Sequence, residues 1–404
     1  MQNTRIIAIV AACAVTAFAG CGGSGDNANV GVHGGTSNPE SFTVGNLPTQ
    51  FDPLHRQVQA VPGGGDPTDP NAGAAAASDV GAAAVAPPPP PPVPFRGVNL
   101  SGAEGDKTYP GVEHTNYELP TPAEVDYFMA KGMNTFRVEM QWERMQHAAM
   151  GDFDPTYASR LDALVAYATS KGAHVIINPQ NFARYWGNVI GSPQVPNAVF
   201  SDFWSKMAAR YGASPNVVFN LVNEPHDMPT EQWVSAANAA IAAIRATGAT
   251  NTILVPGNGW TAGGTWNGGS YGTPNATAML NIADPLNNLW FEAHVYLDDT
   301  QAGTSPTCVS PTIGQERLTG FIDWLRANGK KGFIGEFAGA DNPTCNAAVA
   351  GMMAYAMAQT DVLEGWAWWA AGPWWHEYMF TLEPTPAGAD RPQLALLAPY
   401  LPAP

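Results

Sequence analysis

Asn134-Thr-Phe-Arg-Val138, Ala158 to Lys171, and His174-Val-Ile-Ile-Asn178 together make one repeating unit of this chain. The outer stretches are short, apolar and rich in β-branched residues, as strands are. The middle stretch carries apolar residues at spacings of three and four, the period of a helix buried on one face. Strand, helix and strand in that order predict a parallel pair joined by a crossover helix. Outward from it, the unit recurs. Strand-like runs lie at Phe95-Arg-Gly-Val-Asn-Leu100, Val217-Val-Phe-Asn-Leu-Val222, Thr252-Ile-Leu-Val-Pro256, Leu289-Trp-Phe-Glu-Ala-His-Val295, Gly332-Phe-Ile-Gly-Glu336 and Leu363-Glu-Gly-Trp-Ala-Trp-Trp369. Helical patterns lie between them, at Pro122 to Lys131, Glu231 to Thr247 and Ile313 to Asn328. Thr121 is a candidate N-cap before Pro122, and Gly132, Gly172, Gly248 and Gly329 stand where C-cap glycines are expected. Eight such units over about 310 residues predict an α/β fold of the (β/α)8 barrel type. An open doubly wound sheet competes, but no Gly-x-Gly-x-x-Gly turn follows any strand.

The 404 residues are 45% hydrophobic and 10% aromatic, enough for a sizeable core, and carry a formal net charge of -16. An acidic chain repels nucleic acid and anionic lipid, whereas a neutral polysaccharide meets no such barrier. Residues 1–20 resemble an export signal: Arg5, an apolar run from Ile6 to Phe18, then Phe18-Ala19-Gly20-Cys21. Small residues before the cysteine resemble a bacterial lipobox, which makes Cys21 the acylated N-terminus; an ordinary signal with an incidental cysteine is the alternative. The apolar run is too short to span a bilayer, so membrane contact is expected only through a lipid at Cys21. Residues 21–94 contain no tryptophan and end in the block Pro87 to Pro92. They read as a disordered Pro/Gly/Ala-rich spacer with too little to bury to offset the entropy of ordering. The catalytic domain is assigned to residues 95–404, with a monomer expected. Cys308 and Cys345 remain as a single pair in an exported chain, which favours a disulfide over two buried thiols.

Barrel enzymes carry their chemistry at the C-terminal ends of the strands. Those ends here hold Arg137, Asn178, Asn223-Glu224, His294 with Tyr296, Glu336 and Trp369. Polar groups closing apolar runs are poor core material unless paired or functional. Two carboxylates over one cavity are what glycoside cleavage needs: one protonated to donate, one ionised to attack. A structural ion pair of both glutamates with Arg137 is the competing reading.

Asn223-Glu224-Pro225-His226-Asp227 and Gly335-Glu336-Phe337 resemble the acid/base and nucleophile motifs of glycoside hydrolase family 5, the cellulase family. The resemblance runs over residues 95 to 404 and is closest to the subfamily 5 endo-β-1,4-glucanases. Asn181-Phe-Ala-Arg-Tyr185, Pro256-Gly-Asn-Gly-Trp260, Glu292-Ala-His-Val-Tyr-Leu-Asp298 and Gly365 to Trp375 also match. It implies Glu224 as general acid/base and Glu336 as nucleophile, held ionised and oriented by Arg137 and Tyr296. It further implies Asn223 on the sugar 2-hydroxyl, His294 in the catalytic centre, Trp369 beneath the reacting sugar, and a bonded Cys308–Cys345 pair between active-site loops. Retention of anomeric configuration, no cofactor, and a β-1,4-glucan substrate follow from the same resemblance.

The chain departs from the family twice. The turn after strand three usually reads Asp-Pro-His-Asn; here it is Asn178-Pro179-Gln180-Asn181, and Gln180 can hydrogen-bond a sugar but cannot carry charge. Relatives tend to have proline where this chain has Glu139. That carboxylate either pairs with an arginine or, facing the cleft unpaired, raises the pKa of its neighbours. Trp186, Trp260, Trp266, Trp374 and Trp375 lie in loop-like stretches where their faces could stack on pyranose rings. His114, His147 and His174 show no ligand spacing, and no cluster indicates a metal. Mannanase, xylanase or mixed-linkage glucanase activity would use the same two glutamates. A surface glucan-binding protein that has lost catalysis is the reading from a different class.

Overall fold

The computed structural model describes residues 93–269 and 271–402. The expected signal peptide, Cys21 and the spacer up to residue 92 lie outside the described residues. The eight barrel strands are β1 (Phe95–Leu100), β2 (Thr135–Met140), β3 (His174–Pro179), β4 (Val217–Asn220), β5 (Ile253–Pro256), β6 (Leu289–Tyr296), β7 (Gly332–Ala338) and β8 (Leu363–Ala371). Each pairs in parallel with its sequence neighbours, and β8 pairs with β1, closing the barrel. This is the (β/α)8 fold the repeating unit predicts.

Helices α1 (Pro122–Ala130), α2 (Pro155–Ser170), α3 (Asn197–Tyr211), α4 (Thr230–Ala246), α5 (Ile313–Ala327) and α6 (Pro343–Met357) cover the sheet. The fifth unit has only a short helix, Asn275–Ala278. Thr121 caps α1 in a full capping box with Glu124. Gly132 and Gly172 leave their helices at φ 91° and 81°, a left-handed turn that costs glycine nothing.

Alternation along the strands sorts side chains between two cores. Phe136, Val138 and Met140 of β2 join the large core between sheet and helices. On the inner face, Ile176, Val218, Leu254, Trp290, Phe333 and Ala367 form a separate apolar plug inside the barrel. Above that plug the inward positions turn polar: Asn99, Arg137, Asn220, Glu292 and Glu336 are all buried. The change from plug to polar layer marks the floor of the site.

Candidate active site

The polar layer is organised by one guanidinium. Arg137, fully buried on β2, donates from Nε to Asn220 Oδ1 (2.9 Å) and from Nη2 to Asn223 Oδ1 (2.7 Å). Its Nη1 faces Asn99 Oδ1 at 2.8 Å, Glu139 Oε1 at 2.9 Å and Glu336 Oε1 at 3.0 Å. Burial works against the cation, but Glu139, Glu292 and Glu336 outweigh it and push its pKa up. Arg137 therefore stays charged, and a buried charge so well paired is stable where an unpaired one would not be.

Glu336 closes β7. Its Oε1 accepts from Arg137, and its Oε2 accepts from the Tyr296 hydroxyl at 2.6 Å. Burial, with negative charge at Glu336, holds Tyr296 well above its ordinary pKa, so it remains a donor. Gly335 must be glycine: a Cβ there would come within 2.0 Å of Glu292 Oε1.

Glu224 follows β4 in a left-handed conformation, φ 42°. Such backbone strain in a non-glycine residue clusters at functional sites. Its Oε1 lies 2.7 Å from His294 Nδ1, and His294 Nε2 lies 3.3 Å from Glu292 Oε1. Burial raises the pKa of Glu224, and Glu336 adds to the rise against the pull of the His294 hydrogen bond. Burial disfavours charge on His294, yet the carboxylates of Glu336, Glu224 and Glu292 push it up to about 10. Both shifts run in one direction, so the Glu224–His294 bond holds a proton far above the usual carboxylate range. Arg137, helped by His294 and Asn220, outweighs burial and keeps Glu292 below its ordinary pKa.

One oxygen of Glu224, one of Glu336 and a nitrogen of His294 lie within 4.8 Å of one another. Cleavage with retention calls for carboxyl groups about 5–5.5 Å apart, and cleavage with inversion for roughly 6.5–9.5 Å. The trio would also span a small cation. Its lone pairs, however, already meet Arg137, Tyr296 and each other, which makes it a poor ligand set. Asn223 is oriented by Arg137, and its buried Nδ2 has no partner among the described residues. That amide is free to donate to a bound molecule.

The remaining sequence candidates lie on other strands and in the loops that follow them. Trp369 lies two residues before the end of β8, 8% exposed, with its ring 5.6 Å from that of Trp375. Gln180 is half-buried beyond β3 and accepts from Asn178 Nδ2 at 2.9 Å. Glu139 turns inward and lies 2.9 Å from Arg137 Nη1, so it does not face the cleft without a partner. Cys308, in the loop after β6, is bonded to Cys345 at the start of α6, with Cα atoms 5.2 Å apart. Trp260 is 41% exposed, but one of its faces is already stacked on His226 at 3.6 Å, leaving only the other for a sugar. Trp186 is exposed, and Trp374 and Trp375 are half-buried.

Trp266 corrects the sequence reading. It is fully buried against Phe321 and Trp324, because the loop after β5 folds back beneath α5. Sequence reasoning also gave no role to Asn99, Asn220 and Glu292. Glu292 carried a signal, standing on one strand face with His294 and Tyr296 at a spacing of two, whereas Asn220 has only Val218 and Val222 at that spacing.

A parallel (β/α)8 barrel with this carboxylate pair at its mouth defines a glycoside hydrolase. The family model described as cellulase (glycosyl hydrolase family 5) matches residues 93–372, and the chain belongs to that family. Endo-beta-1,4-glucanase B of Aspergillus niger is 42% identical over 76% of this chain and 89% of its own length. Among solved structures, the endo-beta-1,4-glucanase Xac0029 from Xanthomonas axonopodis pv. citri is 45% identical with a TM-score of 0.74, covering 76% of this chain and 98% of its own. The structure of XacCel5A in complex with cellopentaose is 43% identical with a TM-score of 0.75, covering 76% and 99%.

Proposed function

We propose that this chain is an endo-β-1,4-glucanase that hydrolyses internal bonds of cellulose and related β-glucans with retention of configuration. The observation that carries the proposal is the Glu224–Glu336 spacing, within 4.8 Å between one oxygen of each, with a proton held on one side and a guanidinium on the other. The relatives named as endoglucanases and the cellopentaose complex support glucan as the substrate class.

In the first step a Glu336 oxygen attacks the anomeric carbon as the glycosidic C–O bond breaks. Glu224 gives its proton to the departing O4, and His294, still protonated beside it, steadies the carboxylate that is left. The product is a glycosyl ester on Glu336 and a released chain end. In the second step Glu224, now a base, takes a proton from water. The hydroxide attacks the same carbon, and Glu336 leaves as carboxylate. The free Asn223 amide suits the sugar 2-hydroxyl, and Trp369 offers a floor for the ring. Gln180 and the open face of Trp260 suit binding further along the cleft.

We further infer that the chain is exported as residues 21–404, anchored by a lipid at Cys21, with residues 21–94 as spacer and a monomeric catalytic domain after them. The lipobox-like Phe18-Ala19-Gly20-Cys21 supports this, as does a disulfide suited to an oxidising compartment. Loss of fatty-acid labelling in Cys21→Ser tests the anchor.

The test of function is viscosity and new reducing ends on carboxymethylcellulose, for the full chain beside Glu336→Gln. A fast viscosity drop abolished by the substitution is expected. Release of reducing ends with little viscosity loss, or none at all in the parent, would overturn the endoglucanase reading.

A further inference from the structure

Three acceptors crowd a nitrogen that has two hydrogens. Arg137 Nη1 lies within 3.0 Å of Asn99 Oδ1, Glu139 Oε1 and Glu336 Oε1, and a guanidinium Nη carries only two N–H groups. At any instant one acceptor goes without. Asn99 is pinned through its Nδ2 to Gly335 O and Trp368 O and holds its Oδ1 closest of the three, so the remaining hydrogen is contested between Glu139 and Glu336.

The surroundings of Glu139 say which form it takes. It is fully buried, and its register partner across β2 and β3 is Asn178, whose Nδ2 reaches its second oxygen. The charged groups facing it are Arg137 from its own strand, Glu104 from the segment after β1 and Glu336 from β7. Arg137 is already matched by Glu292 at 3.1 Å and Glu336 at 3.0 Å. A further anion on Glu139 would be uncompensated, and burial with the two like charges pushes its carboxyl well above the ordinary range. A neutral carboxylic acid still accepts through its carbonyl oxygen, but it attracts a guanidinium hydrogen less than a carboxylate does.

We propose that Glu139 is a positioning residue: protonated, it leaves the contested Arg137 hydrogen to Glu336, and ionised, it draws that hydrogen away and loosens the nucleophile. The proposal rests on the glucanase reading and deepens it. Asn178, which cannot ionise, stands directly across the strand pair from Glu139, so Glu139 is the one acid of that pair. The outcome is an alkaline limit to activity that comes from a group touching neither substrate nor the reacting atoms.

A dinitrophenyl β-cellobioside isolates this limit, because its leaving group departs without help from a general acid, so Glu224 does not shape the formation step. The full-chain enzyme is assayed for kcat/KM against pH, beside Glu139→Gln and Glu104→Gln. In the parent, kcat/KM falls on the alkaline side. In Glu139→Gln, whose side chain cannot ionise, the fall moves up by about one pH unit or more. In Glu104→Gln, which removes a like charge facing Glu139, it moves down. A parent without an alkaline fall overturns the proposal, as does a Glu139→Gln fall at the same or lower pH. If Glu139→Gln does not fold, Glu104→Gln decides: a downward shift supports the proposal and an unmoved fall overturns it. Failure of the glucanase reading shows separately, as a parent that releases no dinitrophenol or a Glu336→Gln variant that hydrolyses as well as the parent.

Discussion

His294 and Glu336 are register partners across β6 and β7, although the simple pairing of these strands would set them one residue apart. Ala293 faces Ile334, and then the register slips so that His294 faces Glu336 and Gly335 is left over. The irregularity is a bulge, which re-aims the side chain that follows it. It brings His294 Nδ1 to 3.5 Å from Glu336 Oε2 while leaving it 2.7 Å from Glu224 Oε1. One histidine thus bridges both carboxylates.

That bridge separates the two glutamates in their response to substitution. Glu224→Gln should lower kcat/KM on carboxymethylcellulose by roughly 10²–10⁴-fold. On a dinitrophenyl cellobioside its glycosylation step should be nearly spared. Glu336→Gln should abolish turnover on both. Equal losses for Glu224→Gln on the two substrates would remove it from the acid role.

The two tryptophans flanking β5's loop should behave in opposite ways. Trp266→Ala empties a buried site and should cost about 3–5 kcal/mol of stability. Trp260→Ala should leave the melting temperature close to the parent while raising KM on cello-oligosaccharides. Thermal melts and steady-state kinetics on both variants check this; a KM effect for Trp266→Ala alone would reverse the assignment.

Glu383 gives a pH dependence of stability. Burial pushes its pKa up to about 7, even though its carboxylate accepts from Gly372 N at 2.9 Å. The folded value lies above the unfolded one, so the folded state binds the extra proton, and its stabilising effect is present below 4.5 and lost as pH rises toward about 7. Glu383→Gln should therefore lose less melting temperature than the parent across that window. Parallel curves in a thermal-shift series would refute the link.

The Cys308–Cys345 bond closes a loop with a sequence separation of 37. In the chain-entropy model, its removal in a double Cys→Ala variant should cost roughly 4 kcal/mol. The loop it ties follows Tyr296, so kcat should fall as well, and more than in a variant destabilised equally at a distant site. Melting temperature and kcat measured together test both halves.

Spacing along the chain was sufficient for the eight strands and the barrel class, and it drew attention to Glu224 and Glu336. Apolar periodicity, the Thr121 cap and the glycine stops are local properties. A carboxylate that ends an apolar strand is conspicuous without any partner in view. What the sequence could not decide were relationships across the barrel. Asn220 meets Glu292 across 72 positions, and Arg137 meets Glu336 across 199. Trp266 looked like a loop aromatic until α5 covered it. The partner of Glu139, the bulge before Glu336 and the side of Trp260 left open all depend on register and closure. Burial and hydrogen bonding are set by whatever distant segment packs against a residue, and only a closed barrel brings those segments together.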